Sequence, residues 1–309
     1  MLGACYGYRA FALSKVDAGG RIYSGLPLID VTGPFGRRRW VSLPFTDYCA
    51  PLAKNEEERN SLIEQLDIER RAERVSQLEV RASVAGRHVH RHCSSVSHTL
   101  RLGPDPDAIF RTFEPSVQRS VRKAIRDGVT VRSAKAPSDL IDTFYTMHAR
   151  TRARLGIPVQ PRRYFRLLWQ SLIEPDLGFV LLASTGKETV AGAVFLAWNG
   201  TIEYKYGASI PEFWSLRPNH LLFSTAIRWG CEHGYRVLNF GRTDLTDTGL
   251  RRFKRSYGAL EEPLVYSTLG SPPRMGWAGT LTGVLRPLLR RSPRWVCRVA
   301  GELAYKYAA

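Results

Sequence analysis

Lys254 is the side chain whose setting first raises a chemical question. It lies in "TGLRRFKRSYG", residues 248–258, within a stretch whose periodicity predicts a helix over 247–258. At about 100° per residue, Leu250, Phe253 and Tyr257 fall on one stripe, which must face a core. Arg251, Arg252 and Arg255 spread over the other side as an outward cationic face. Lys254 lies only about 40° from Leu250 on that wheel. A cation there must snorkel to water, pair with an acid or line a cleft.

Other candidates stand just upstream. Asn239, Arg242 and Asp244 cluster where the apolar run "YRVLNF" ends. The C-terminal end of a strand that opens into a helix is a common ligand position in α/β sheets. Arg242 can grip a phosphate or carboxylate in a bidentate fork, or it can pair with Asp244 or Asp247. "LRPNHLL", residues 216–222, opens the preceding helix. Pro218 suits a first helical turn, whose free N–H groups can bind an anion with help from Arg217 and Asn219. A plain capped helix start is the alternative. Arg119 with Lys123, and Arg122 with Arg126, make a cationic face at i, i+4 spacing. Arg150, Arg152, Arg154, Arg162, Arg163 and Arg166 add a second basic region with no acid between them. Such faces bind phosphates or are simply solvated.

Several chemistries lack their motif. There is no GxSxG, HExxH or P-loop sequence. His88, His90 and His92 alternate as on one face of a strand, but no Cys or acid stands at ligand spacing, and no metal ligand is assigned. Cys5, Cys49, Cys93, Cys231 and Cys297 are scattered and form no CxxC pair, which suits a reducing cytosol. The net charge of +17 and pI near 10 favour an anionic partner: nucleic acid, nucleotide phosphates or an anionic membrane face. Leu2-Gly3-Ala4-Cys5 looks like a lipoprotein cleavage box, but no basic or apolar region precedes it, so no signal peptide is expected. No run reaches the roughly 18 apolar residues of a membrane-spanning helix.

The elements that must position these side chains follow from periodicity. The 309 residues suggest about two domains. "RAFALSKV" and "RIYSGLPLIDV" flank the turn signal Asp17–Gly20, and "RWVSLPF" follows as a strand. Residues 55–73 form a helix with Asn55 as N-cap and acids in its first turn, and "VSQLEVRAS" is a strand. Residues 104–127 read as helical and 129–134 as a strand. A helix follows, capped by Ser138 and stopped by Gly156, and then another from Pro161. "LGFVLLAS", "TVAGAVFLAW" and "TIEYKYGAS" make an antiparallel meander, with Asn199-Gly200 as a hairpin turn. A helix over about 218–233, the strand "YRVLNF", the helix carrying Lys254 and the strand "EPLVYST" complete the order. This is α+β, with mixed, mainly antiparallel sheets flanked by helices. Residues 271–309 carry seven Lys/Arg against Glu302. They read as a basic tail of two amphipathic helices separated by Pro293, for a membrane surface or for packing on the body.

Taken together, "RPNHLLFSTAIRWGCEHGYR", "NFGRTD" and "GLRRFKRSYGALEEPLVY" resemble the FemAB-like branch of the GNAT acyltransferase superfamily. "SVRKAIRDGV", "SGLPL…VSLPFTDY" and the tail "RSPRWVCRVAGELAYK" fit the same pattern. The resemblance covers roughly residues 8–268 and implies two tandem GNAT-like domains. These are placed at 1–103 and 104–270, with the tail at 271–309. The first domain is short: either the chain starts late or that half is trimmed. The resemblance implies an acyl- or aminoacyltransferase that forms an amide on a cell-envelope, peptidoglycan or exopolysaccharide precursor. Lys254 would stabilise charge developing at the acyl carbonyl, the main electrostatic term in acyl transfer. Arg242, Asp244, Asn239, Arg217, Asn219 and Asp47, the last in "VSLPFTDY", would bind substrate. The usual pyrophosphate loop of GNAT enzymes has a glycine pair, whereas this chain reads "SIPEFWSLRPNHLL" there. The donor stays open between acyl-CoA and aminoacyl-tRNA, with no tightly bound cofactor. The implied partners are an anionic envelope or glycan precursor, tRNA and the inner face of the cytoplasmic membrane, through 271–309. A non-catalytic module binding RNA or anionic lipid is the competing reading.

Overall fold

The chain opens with a short helix, α1 (Leu2–Tyr6), then a hairpin of β1 (Arg9–Val16) and β2 (Ile22–Thr32). The Asp17 carboxylate fixes the expected turn by accepting from Gly19 N at 3.0 Å and Arg21 N at 2.9 Å. The fold is that of a computed structural model, which describes residues 1–33, 36–271, 287, 289–290, 292 and 294–307. After the hairpin come β3 (Arg38–Val41), α2 (Glu56–Ala72) and β4 (Gln77–Val80). Asn55 caps α2 as expected, accepting from Glu58 N at 2.8 Å. This satisfies one of the donors that a helix start leaves open. The inward face of α2 buries Leu62, Ile63 and Leu66 in one apolar cluster with Leu26, Trp40 and Leu78.

A long strand, β5 (Val89–Arg101), comes next. Only the alternating histidines hinted at it. "VHRHCSSVSHTLR" lacks the apolar alternation of an ordinary core strand, because Ser95 and His98 fill buried positions beside Val96 and Leu100. The helical stretch expected over 104–127 forms as two helices, α3 (Pro106–Thr112) and α4 (Pro115–Arg126). The break falls where Pro115 removes a backbone donor. Beyond β6 (Val129–Ser133), Ser138 does not cap a helix. The chain winds a π-helical turn over Asp139–Phe144 and continues as α5 (Tyr145–Leu155), which Gly156 ends at φ +68°. Helix α6 (Arg162–Leu168) leads into the meander of β7 (Gly178–Thr185), β8 (Glu188–Trp198) and β9 (Thr201–Ser209). Then come α7 (Pro218–Glu232), β10 (Val237–Asn239), β11 (Thr243–Asp244), α8 (Thr248–Arg255) and β12 (Leu260–Gly270). A last helix, α9 (Arg294–Ala304), ends in a 3-10 turn at Tyr305–Tyr307. In the first helix expected in the tail, residues 287, 289 and 290 are described and are helical, whereas the break at Pro293 lies outside the described residues.

Two compact units emerge. One holds Leu2–Ser95, Pro263–Leu285 and Glu302–Ala309; the other holds Val96–Glu262 and Arg286–Gly301, with Met1. The expected divisions near 103 and 270 are linear, whereas β5 and β12 each contribute residues to both units. In the first unit the strands run β1-β2-β3-β4-β12, antiparallel except for β3 with β4. In the second the order is β5-β10-β9-β8-β7-β6, antiparallel except for β10 with β9. Both units thus follow one plan. An antiparallel meander feeds a crossover helix, α2 or α7, which returns the chain to a parallel strand. The second unit has its own core, in which Phe195, Phe223, Phe240 and Tyr257 meet Leu222 and Ala226.

Candidate active site

All but one of the candidate residues lie in the unit that holds α7 and α8. The site is built around the turn that follows β10. The Asn239 side-chain oxygen accepts from Gly241 N at 2.8 Å and from Ser97 Oγ at 3.3 Å. Gly241 takes φ +74°, a left-handed conformation that costs a side-chain-bearing residue roughly 1–2 kcal/mol. Phe240 is buried, and its N–H bonds the His98 carbonyl at 2.8 Å. The turn is therefore anchored at both strands, β10 and β5, before it reaches α8.

Lys254 does not snorkel. It is 2% exposed, and its Nζ donates to the Gly241 carbonyl at 2.7 Å and the Arg242 carbonyl at 3.2 Å. The wheel placed Lys254 inward, and it is inward. The wheel was wrong about Leu250, which is 39% exposed. Helix α8 begins only at Thr248, capped by the Asp247 carboxylate on Leu250 N at 2.9 Å. Leu250 is thus in the first turn, short of the core, while Tyr257 is buried just beyond the helix end.

Of the three arginines, only Arg252 and Arg255 are exposed. Arg251 bonds Glu261 with two nitrogens, at 3.0 and 2.7 Å, and donates to the Leu245 carbonyl at 3.0 Å. Glu261 also meets His98 Nε2 at 3.0 Å. Hydrogen bonding from Arg251 holds the Glu261 carboxyl down at about 2, against the opposing effect of burial. Burial and then the positive charge of Lys254 keep His98 below its ordinary value, while Glu261 pulls the other way. An acid, an arginine and a neutral imidazole thus fix α8 to the start of β12 and to β5.

His220, at the start of α7, completes the wall. Its Nδ1 lies 2.9 Å from the buried Tyr257 hydroxyl, and its ring stacks on Tyr257 with Phe253 at its flank. Burial and then Arg217 push His220 down to about 4, so the ring is neutral at neutral pH. Sequence reading passed over His98, His220, Arg251 and Glu261 as site residues. The acids of "GALEE" were the available signal for a partner to the helix, but nothing marked Arg251 as the arginine to take it.

The predicted residues fare differently. Lys254, Asn239 and Arg242 meet at one turn. Arg242 pairs with Asp244 at 2.9 Å on the surface, the structural alternative weighed for it. Asn219 donates to Ser209 Oγ at 3.3 Å, and Arg217 is exposed in a left-handed conformation, φ +59°. Asp47 belongs to the other unit, where its carbonyl accepts from Tyr266 at 2.8 Å. Among the described residues, no group of three His, Cys, Asp or Glu side chains could hold a metal ion, and no helix is long and apolar enough to cross a membrane.

Gly241→Ala tests the turn. We expect a stability loss of roughly 1–2 kcal/mol in denaturant unfolding. Gly249→Ala, in the first turn of α8, should gain or lose only a few tenths. Equal effects at both positions would refute the turn's special role.

Comparison with known proteins gives a family match over part of the chain and a structural likeness over most of it. Residues 111–255 match the acetyltransferase (GNAT) domain family, a segment that runs from the end of α3 to the end of α8 and includes Lys254. A UDP-N-acetylmuramoylpentapeptide-lysine N(6)-alanyltransferase of Weissella viridescens is 22% identical over 156 residues, half of this chain. The match spans 46% of that enzyme's length. A crystal structure of FemX superposes with a TM-score of 0.68 at 16% identity, covering 92% of each chain. A tandem GNAT protein from the clavulanic acid biosynthesis pathway gives 0.52 at 11% identity, over 86% of this chain and 84% of its own. At these identities the structural likeness is one of fold. Residues 111–255 thus carry the match to the acetyltransferase (GNAT) domain family, and nearly the whole chain shares its fold with FemX.

Proposed function

We propose that this protein transfers an acyl group, in the leading reading an aminoacyl group, to an amine of an anionic cell-envelope precursor. The observation that carries the reading is the seat of Lys254: a cation buried at the end of a parallel strand and held by two carbonyls. The alanyltransferase relative supports a peptidoglycan precursor as acceptor. In the reaction the acceptor nitrogen attacks the acyl carbonyl carbon. A C–N bond forms, and the C–O bond of an ester donor, or the C–S bond of a thioester, breaks. The amine gives up a proton and the leaving oxygen or sulfur gains one. Negative charge gathers on the carbonyl oxygen in between, and the fixed charge of Lys254 favours that state over the ground state. No covalent enzyme intermediate is required, because positioning the two substrates supplies much of the rate.

Arg242 would release Asp244 to grip an anionic part of a substrate, with Arg217, Asn219 and Asp47 as further contacts. Asn239 would act by shaping the turn, since its oxygen is engaged by Gly241 and Ser97. The segment before α7 supports an aminoacyl-tRNA donor over acyl-CoA. It is a 3-10 turn, Pro211–Leu216, closed by Arg217 and without the glycine pair that lets a pyrophosphate approach the backbone. This reading places the protein in the cytoplasm, at the inner face of the membrane. It is tested by incubating the protein with a nucleotide-linked muramoyl pentapeptide and either aminoacyl-tRNA or acyl-CoA. Aminoacyl-tRNA should be consumed with formation of an amide. Consumption of acyl-CoA alone would reassign the donor. Consumption of neither, with salt-sensitive RNA binding that survives Lys254→Ala, would make this a binding module.

A further inference from the structure

Helix α9 is fixed in one rotational setting. On its inner side Cys297 is 1% exposed, and its carbonyl accepts from Val159 N at 3.4 Å. One turn on, a Cβ added at Gly301 would stand 1.8 Å from the Val159 carbonyl oxygen. Only glycine fits there, so residues 297 and 301, at i, i+4, define the seated face.

The opposite face is apolar and bare. Trp295, Val299 and Leu303 are 64%, 47% and 66% exposed. Their spacing of four residues lines them up along the helix. Arg298 on α9 and Lys306 just past its end are exposed beside them, with Glu302 as the acid on that side. This inverts the usual surface helix, which turns its apolar stripe to the core. An outward apolar stripe beside cations, with tryptophan at one end, is the pattern of a helix that lies in a lipid interface. At 11 residues it is too short to span a bilayer, which needs about 20.

We propose that α9 docks this protein onto an anionic lipid bilayer, lying flat with Trp295, Val299 and Leu303 in the headgroup boundary. Charge selects this occupant over a second copy of the chain. The tail from 271 carries seven Lys/Arg against one acid, and the whole chain +17. Two such faces repel each other, whereas an anionic membrane attracts both. The inference goes beyond acyl transfer and does not depend on it.

The test is co-sedimentation of the full chain with phosphatidylcholine vesicles, with and without phosphatidylglycerol. We expect binding to the phosphatidylglycerol vesicles, weakened by salt, and little to phosphatidylcholine alone. Trp295→Ser with Leu303→Ser should cut binding about tenfold or more with the unfolding midpoint unchanged. Arg298→Glu should weaken it in the same direction. Equal binding to both vesicle types, or full binding by the double variant, overturns the proposal. So does a wild-type dimer that the double variant converts to a monomer, because the stripe would then be covered by a second copy.

Discussion

Lys254→Met should lower the rate of transfer by about 10²–10³-fold while leaving substrate binding within a few-fold of wild type. Methionine keeps most of the volume and the unbranched shape of lysine but removes its charge and both hydrogen bonds. In the proposed mechanism this charge acts where negative charge develops, so its loss should fall on the chemical step rather than on ground-state binding. The Gly241 and Arg242 carbonyls lose a donor, which should also cost roughly 1–3 kcal/mol of stability. Lys254→Arg is the sharper control. It keeps the charge, but the planar guanidinium cannot occupy the same seat between two carbonyls. Single-turnover measurements with saturating substrates separate chemistry from binding. A methionine variant that turns over at nearly the wild-type rate would remove Lys254 from the mechanism, whatever its burial.

The second large effect is on stability. Glu261→Ala takes away both hydrogen-bonded contacts of Arg251 with its acid and a partner of His98 Nε2. Arg251 and Glu261 are partly exposed, with side chains 25% and 18% accessible, but the His98 side chain is fully buried, and leaving its Nε2 unsatisfied should cost roughly 1–3 kcal/mol, read as a shift in the urea midpoint. Replacing both partners by apolar residues should be milder than removing either. The same cluster sets a pH dependence. Glu261 titrates at about 2 when folded, against an ordinary 4.5. The stability it contributes is therefore complete above 4.5 and is lost as pH falls toward 2. His98 is held below its ordinary 6.5. As pH drops through that value, the unfolded chain takes up a proton that the folded chain refuses, and stability falls again. The wild type should lose stability from about pH 6.5 downward. Glu261→Gln should flatten the part of the decline below 4.5, and an unchanged slope there would refute the assignment.

Where patterns are local, the sequence was a good guide. Asn55, the Asp17–Gly20 turn and the Asn199-Gly200 hairpin each carry their own geometry, and each forms as expected. The β5 strand does not announce itself, because its fully buried His98 is tolerated through a long-range partner, Glu261. The site divides the same way. A wheel finds the inward side of α8 and so finds Lys254. It cannot tell that Arg251 will bond an acid ten residues on, or that His220 will meet Tyr257, because the first contact is set by how α8 lies against β12 and the second by how the residues just past α8 pack on α7.

The pairing of β12 with β4 has a consequence during synthesis. Strand β4 ends at Val80, and its antiparallel neighbour is Ser267–Gly270. On the ribosome, β1 to β4 and α2 emerge early and can collapse around Leu62, Leu66 and Leu78. One edge of that sheet then waits, unpaired, until residues 81–266 have been made. A nascent chain with an open strand edge is sticky. Slow translation or a shortened transcript should therefore expose this protein to aggregation well before either unit has a chance to be tested for activity.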